Sequence, residues 1–242
     1  TVTLNPSADL ASLSAYYIQI PSTAFVDAAG NGFAGISNKT ALNFITLDVN
    51  APSLISSIPS DNASSVKLDK NIILTFSENI TAGSGQIKLF NGNDKLVEAF
   101  NVSSSIISGS TVTLNPSSDL ASGSAYYLQI PSTAFADTAG NGFAGISNKT
   151  TLSFITLDVN APYLISSIPS DNASSVKLDQ SIVLNFNEAV VAGSGKINLF
   201  DRNDKLVEAF NVSSSIISGS TVTLNPTSDL KPDNSYYIQI PS

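Results

Sequence analysis

Short runs of alternating apolar and polar residues recur along the whole chain. Ile72, Leu74 and Phe76 take every second place in NIILTFSE, Ile87 and Leu89 in QIKLF, Val112 and Leu114 in TVTLNP, and Leu152 and Phe154 in TTLSFIT. Successive side chains of a strand point to opposite faces, so this spacing predicts half-buried strands rather than helices. Seven strands are predicted in one stretch: A (54–59), B (71–76), C (86–90), D (96–100), E (110–115), F (125–130) and G (151–156). Clusters of Gly, Asn, Asp and Ser separate them, as turns between antiparallel strands require. No stretch carries an amphipathic helix of three turns.

The pattern is repeated. TVTLNP occurs at 1, 111 and 221, a period of 110 residues, and residues 1–50 match 111–160 at all but seven positions. Between repeats the strand exchanges Ile73 to Val183, Thr75 to Asn185, Gln86 to Lys196 and Lys88 to Asn198 fall on predicted outward positions. LDVNAP at 47–52 and 157–162 is short and polar, and its proline holds the preceding residue extended, so it reads as the linker. The expected organisation is 1–50 as the C-terminal half of one repeat (strands E to G), 51–160 as a complete repeat, and 161–242 as a repeat without its last strand. The chain thus reads as an internal piece of a longer protein, and the sheet of 161–242 is expected either to take a G strand from a neighbouring copy, self-associating by strand complementation, or to be completed by the next residues of a longer array.

Seven strands in about 110 residues, alternating throughout, predict an all-β fold of tandem immunoglobulin-like sandwiches. LKPDNSY at 230–236 places a Leu six residues before the first Tyr of YYIQI. That spacing predicts a tyrosine corner, in which the hydroxyls of Tyr16, Tyr126 and Tyr236 bond back to the backbone between strands E and F.

Together, SSIPSDNAS before and around the first turn, LTFSENI ending strand B, STVTLNPSSDLASGSAYYLQI across E and F, ADTAGN before G and FIT within G resemble the bacterial Ig-like domains repeated in S-layer proteins and large surface adhesins. The resemblance covers the whole chain. It implies a secreted module on the bacterial cell surface or in an extracellular filament, a structural extender often stiffened by calcium, and no catalysis. Neighbouring repeats of the same protein are the implied partners.

Composition narrows the chemistry. Cys, His, Met and Trp are all absent, which removes disulfides, thiolate metal sites, Ser-His-Asp and Cys-His catalysis and the commonest transition-metal ligand. The chain therefore reads as no enzyme. With 19 acidic against 11 basic residues the formal net charge is -8, which opposes nucleic-acid binding and favours cations. No run of about 18 apolar residues could insert in a membrane.

GNGFAG at 140–145 matches the letters of a dinucleotide fingerprint, but these glycines lead into an antiparallel strand rather than opening a helix, so a turn or an ion loop is expected instead. Calcium needs several hard oxygens. In the expected sandwich the B–C and F–G loops share the end where the chain enters, which gathers Glu78, Asp137 and Asn141 with linker residues Asp48 and Asn50. At the next junction the corresponding candidates are Asp158, Asn160 and Glu188. The linker also looks like the Asp-x-Asn-x-Ala-Pro connection of cadherins, where calcium locks neighbouring domains. Set against this, Asp137 and Asn141 can hold the turn by themselves, with Gly140 and Gly142 supplying positive φ. The alternative function is a binding module whose B–C and F–G loops contact a host or environmental glycan or another protein, with Tyr17 and Tyr127 as outward aromatics. SENITAG at 77–83 becomes NEAVVAG at 187–193, and that is the variation such a role would use.

Overall fold

The computed structural model describes residues 1–102, 106–212 and 216–240, and the described residues contain strands and no α-helix. The chain divides into two units, Thr1–Val159 and Asn160–Ser242. The first unit opens with β1 (Ala15–Tyr17) and β2 (Asn43–Ile45), an antiparallel pair from the half-repeat. The complete repeat follows with β3 (Leu54–Ile58), β4 (Ala63–Val66), β5 (Ile72–Phe76), β6 (Thr81–Ala82), β7 (Gln86–Asn91), β8 (Leu96–Asn101), β9 (Ile106–Ser108), β10 (Thr111–Leu114), β11 (Ala125–Gln129), β12 (Phe135–Ala136) and β13 (Ser153–Thr156).

These form two main sheets, ordered β3-β5-β10-β9 and β4-β13-β11-β7-β8, with β12 and β6 as a small extra pair. Ile72, Leu74 and Phe76 of β5 and Val112 and Leu114 of β10 form one buried cluster with Ile87 and Leu89 of β7, Leu128 of β11 and Phe154 of β13. The alternating residues of both sheets thus face each other across one core, and the repeat is an Ig-like sandwich.

Each strand predicted as A to G appears, within a residue or two at its ends. The structure also adds strands outside that set. Strand D at 96–100 is β8 and pairs with β7, while the strand beside β10 is β9, which the alternation did not mark. After Pro59, Asp61 and Asn62 form a turn, and the residues beyond them hold β4, which runs parallel to β13 and packs Ala63 and Val66 against the core. A strand of four residues with two small inward side chains leaves almost no periodic signal, because its pairing comes from a partner far along the chain.

The second unit repeats the plan with β14 (Leu164–Ile168), β15 (Ile182–Phe186), β16 (Lys196–Asp201), β17 (Leu206–Asn211), β18 (Ile216–Ser218), β19 (Thr221–Leu224) and β20 (Tyr236–Gln239). Its sheets are β14-β15-β19-β18 and β17-β16-β20, around Ile182, Leu184, Ile197, Leu199, Val222 and Leu224.

All three tyrosine corners form. The hydroxyl of Tyr126 accepts the N–H of Ala121 at 2.8 Å, that of Tyr236 accepts Lys231 N–H at 2.8 Å, and that of Tyr16 accepts Ala11 N–H at 2.9 Å. The rings of Tyr126 and Tyr16 stack on Phe154 and Phe44 at 5.6 and 5.9 Å. This fixes where β11 starts, and through β11 it fixes the F–G loop at the opposite end.

Candidate functional site

The F–G connection of the complete repeat carries the run GNGFAG. It doubles back on itself: β12 pairs with β6, and Ala136 bridges Gly142. At the tip, Asp137 Oδ1 accepts Asn141 N–H at 2.8 Å, Asp137 Oδ2 accepts the Asn141 side-chain amide at 2.7 Å, and Asp137 N–H donates to Asn141 O at 3.0 Å. Thr81 Oγ1 donates to Ala136 O at 3.1 Å and ties the tip to the end of the B–C loop.

The glycines play different parts. Gly140 has φ +95° with open space around it, so it supplies only the left-handed turn. Gly145 has φ +81°, and a Cβ there would lie 2.7 Å from Ile130 O and 2.8 Å from Ser132 N, so it also lets two backbones touch. Gly142 has neither feature. No helix follows, and the fingerprint match is a turn.

The half-repeat supplies an internal control. Asp27 and Asn31 occupy the same loop positions, fully exposed, and make the same bonds: Asn31 N–H to Asp27 Oδ1 at 2.8 Å and the Asn31 amide to Asp27 Oδ2 at 2.7 Å. The Asn31 side-chain bond, helped by backbone N–H groups, holds the Asp27 carboxyl below its ordinary value. The loop therefore closes on its own hydrogen bonds.

What the complete repeat adds is company. Asp48 from the linker and Glu78 after β5 bring carboxylate oxygens to Asp137, all within 4.8 Å of one another. Asp137 is only 3 % exposed, and Asp48 and Glu78 are half-buried. The Asn141 amide also donates to Asp48 O at 3.2 Å, which fastens the linker backbone to the F–G loop. Among the described residues the one salt bridge is Lys149 with Asp94, so no basic side chain balances the three acids.

The charge crowding shows in the two carboxyls differently. Burial raises Glu78 above its ordinary value, and the nearby charges of Asp137 and Asp48 add to that. Burial pushes Asp137 up as well, but the Asn141 side chain and the N–H groups of Asn141, Gly140 and Ala139 outweigh it and leave the carboxyl low. Asp137 is thus held ionised by its own loop, and Glu78 carries the strain of the group.

Other sequence-predicted residues stand as follows. Asn50 donates its backbone N–H to Asp48 Oδ1 at 3.1 Å. Asp158 accepts the Ser122 hydroxyl at 2.8 Å within the first unit, whereas Asn160 and Glu188 belong to the second, where Glu188 lies 3.5 Å from the Asn187 amide. Sequence reasoning missed Ser12 and Ser122, whose hydroxyls bind the linker acids Asp48 and Asp158 and accept Val49 and Val159 N–H, anchoring each linker to the repeat before it. Their signal was recurrence at one period, lost in a serine-rich chain.

Tyr127 was expected to face outward, as ordinary sheet surface or as a ring for sugar stacking. It is instead 6 % exposed, stacked on Phe90 at 5.1 Å, covered by Lys149 and bonded through its hydroxyl to Asp94 at 3.0 Å. Tyr17 remains open at 45 %.

The sequence profile of the bacterial Ig-like domain family matches residues 48–156 and 158–242. The chain belongs to that family. Two solved structures are similar to these Ig-like domains. The S-layer protein rSbsC is 17 % identical with a TM-score of 0.31, the match covering 77 % of this chain and 25 % of that one. The BSP domain of a biofilm associated protein is 15 % identical with a TM-score of 0.20, covering 74 % and 26 %. The chain spans about a quarter of the length of each. No curated protein sequence matches these Ig-like domains.

Proposed function

We propose that these Ig-like repeats are spacers of a bacterial surface protein, holding other parts of it away from the cell, and that the junction before each complete repeat is stiffened by calcium. The observation that carries the reading is the fastening of the linker: Asp48 meets Glu78 and Asp137 within 4.8 Å while Asn141 grips its carbonyl. A spacer resists bending only if linker and domain are joined by more than one covalent bond. In an array of such repeats reach scales with copy number.

The donor set suits a hard divalent cation. Asp48, Glu78 and Asp137 offer carboxylate oxygens with no competing ammonium or guanidinium, and water would complete the six to eight oxygens that calcium takes. Bound there, the ion would supply the missing positive charge and cross-link three separate segments: the linker, the end of β5 and the F–G loop.

Calorimetry of the full chain in chelator and in millimolar calcium tests the metal, since a ligand held only by the folded state raises its melting temperature. An unchanged melting temperature sinks calcium. Small-angle scattering of the same samples tests the spacer: an elongated particle whose flexibility falls with calcium is expected, and a compact particle in both conditions refutes it. Binding to a glycan array, with no mechanical response, would instead favour recognition by the variable B–C loop.

A further inference from the structure

Linker residue Asp48 is held by two repeats at once. From the preceding repeat, Ser12 in the corner between strands E and F donates its hydroxyl to Asp48 Oδ1 at 3.1 Å and accepts the Val49 N–H at 2.9 Å. From the complete repeat, the Asn141 amide donates to Asp48 O at 3.2 Å, and the carboxylates of Glu78 and Asp137 lie within 4.8 Å of the Asp48 carboxylate. The Asn50 N–H is a second donor to Asp48 Oδ1, at 3.1 Å. Two donors on one oxygen restrict the rotation of the carboxylate, and so set where its charge lies relative to the other two acids.

Ser12 is itself fixed by the tyrosine corner. Ala11 N–H donates to Tyr16 Oη at 2.9 Å, Ala11 O accepts the Thr46 hydroxyl at 2.6 Å, and Leu13 N–H reaches Leu47 O at 3.2 Å. The corner and the start of the linker are therefore one hydrogen-bonded piece. The complete repeat builds the same device at its own exit, which makes it a property of the repeat. Ser122 donates to Asp158 Oδ1 at 2.8 Å and accepts the Val159 N–H at 2.8 Å, and Thr156 Oγ1 donates to Ala121 O at 2.6 Å. One residue after the serine the backbone is left-handed in both copies, with φ +46° at Leu13 and +58° at Gly123. A leucine stays in that region only where the bonds around it determine the turn.

We propose that Asp48 is a coupling node between neighbouring repeats: Ser12 of one repeat positions the linker carboxylate, Asn141 of the next holds the carbonyl of the same residue, and the E–F corner of the first and the F–G loop of the second thereby stabilise each other. Ser12 is a positioning residue, acting on the acid group through Asp48. Each grip removes freedom that the other would otherwise have to remove, so the coupling is favourable and has the same size read from either side. It operates without an ion. A second consequence rests on the calcium reading: affinity for the cation at Asp48, Glu78 and Asp137 depends on a serine of the preceding repeat.

Nuclear magnetic resonance of the full chain in chelator tests the node from both sides. Asn141→Ala should speed amide exchange of Val49, whose N–H is bonded to Ser12 and not to Asn141, by about three- to tenfold. Ser12→Ala should shift the side-chain amide signal of Asn141 and leave that of Asn31, which donates to Asp27, in place. Ser12→Thr keeps a hydroxyl and should restore the Asn141 signal, while Ser122→Ala should speed exchange of Val159 and leave Val49 and Asn141 as they were. Because the coupling is reciprocal, the proposal is overturned if either the Val49 exchange in Asn141→Ala or the Asn141 signal in Ser12→Ala is unchanged. It is also overturned if Ser12→Thr fails to restore that signal or if Ser122→Ala reproduces the change. In calcium titrations Ser12→Ala should raise the concentration at half of the melting-temperature rise by about threefold, and an equal midpoint overturns the positioning role. If calcium leaves the wild-type melting temperature unchanged, the calcium reading falls and the measurements in chelator decide the node by themselves.

Discussion

One tyrosine–backbone bond occurs three times in this chain in different surroundings, which makes its worth measurable. Tyr126, Tyr16 and Tyr236 each accept an N–H from five residues upstream at 2.8 to 2.9 Å. Only the bond of Tyr126 is partly buried, and Tyr126 itself is 4 % exposed, whereas the other two bonds lie in the open. Replacement by Phe keeps the ring, and hence the stacking on Phe154, while removing the acceptor. A buried donor left without its partner costs more than one that water can reach, so Tyr126→Phe should destabilise the complete repeat by about 1–2 kcal/mol. Tyr16→Phe and Tyr236→Phe should cost about 0.5 kcal/mol or less. For a domain of this size each kcal/mol lowers the melting temperature by about 4–8 °C. Calorimetry of the full chain reads the shift, and amide exchange at Ala121 localises it. Equal shifts for the three variants, or unchanged protection of Ala121 in Tyr126→Phe, would refute the argument that burial sets the value of the bond.

The remaining predictions concern the F–G loop and its neighbours. Gly145→Ala should cost roughly 2–4 kcal/mol, since its Cβ meets backbone atoms at 2.7 and 2.8 Å, Gly140→Ala about 1 kcal/mol for its φ alone, and Gly142→Ala close to nothing; urea melts that reverse this order refute the assigned roles. Because burial and the neighbouring carboxylates raise the folded-state pKa of Glu78, its favourable contribution is present below the ordinary carboxylate value and lost as pH rises through the raised one. Glu78→Gln should therefore, in chelator, raise the melting temperature at neutral pH and flatten its pH dependence just above the ordinary carboxylate value, and it should abolish the calcium response; a lower melting temperature would show that Glu78 is not under strain. Asp137 has the opposite sign, its contribution present above the ordinary carboxylate value and lost as pH falls through the lowered one, so Asp137→Asn should destabilise at neutral pH with or without calcium. Lys149→Ala uncovers Tyr127 and should leave stability unchanged at physiological salt, because both members of its ion pair are more than half exposed; tyrosine fluorescence quenching should rise.

Much of this molecule was legible in the order of its residues, for a local reason. The alternation in NIILTF or TVTLNP depends only on which face of a strand each side chain occupies, and the spacing from Leu120 to Tyr126 or Leu230 to Tyr236 fits a bond that closes over five residues. The repeat carried that information to every copy at once. The turn bonds of Asp27 and Asn31 form even where nothing surrounds them, so they too belong to the sequence. The features that were misjudged depend on partners distant along the chain. Strand β4 exists because β13 lies beside it, and Tyr127 is covered because Phe90, Asp94 and Lys149 converge from two other connections. Folding likewise decided that Asp137, already bonded to Asn141 in its own loop, should face Asp48 and Glu78 with no basic side chain paired to the three acids among the described residues. Local periodicity determined the strands and their corners; which charges share a space was decided only when two sheets closed over one core and brought the linker against the loop.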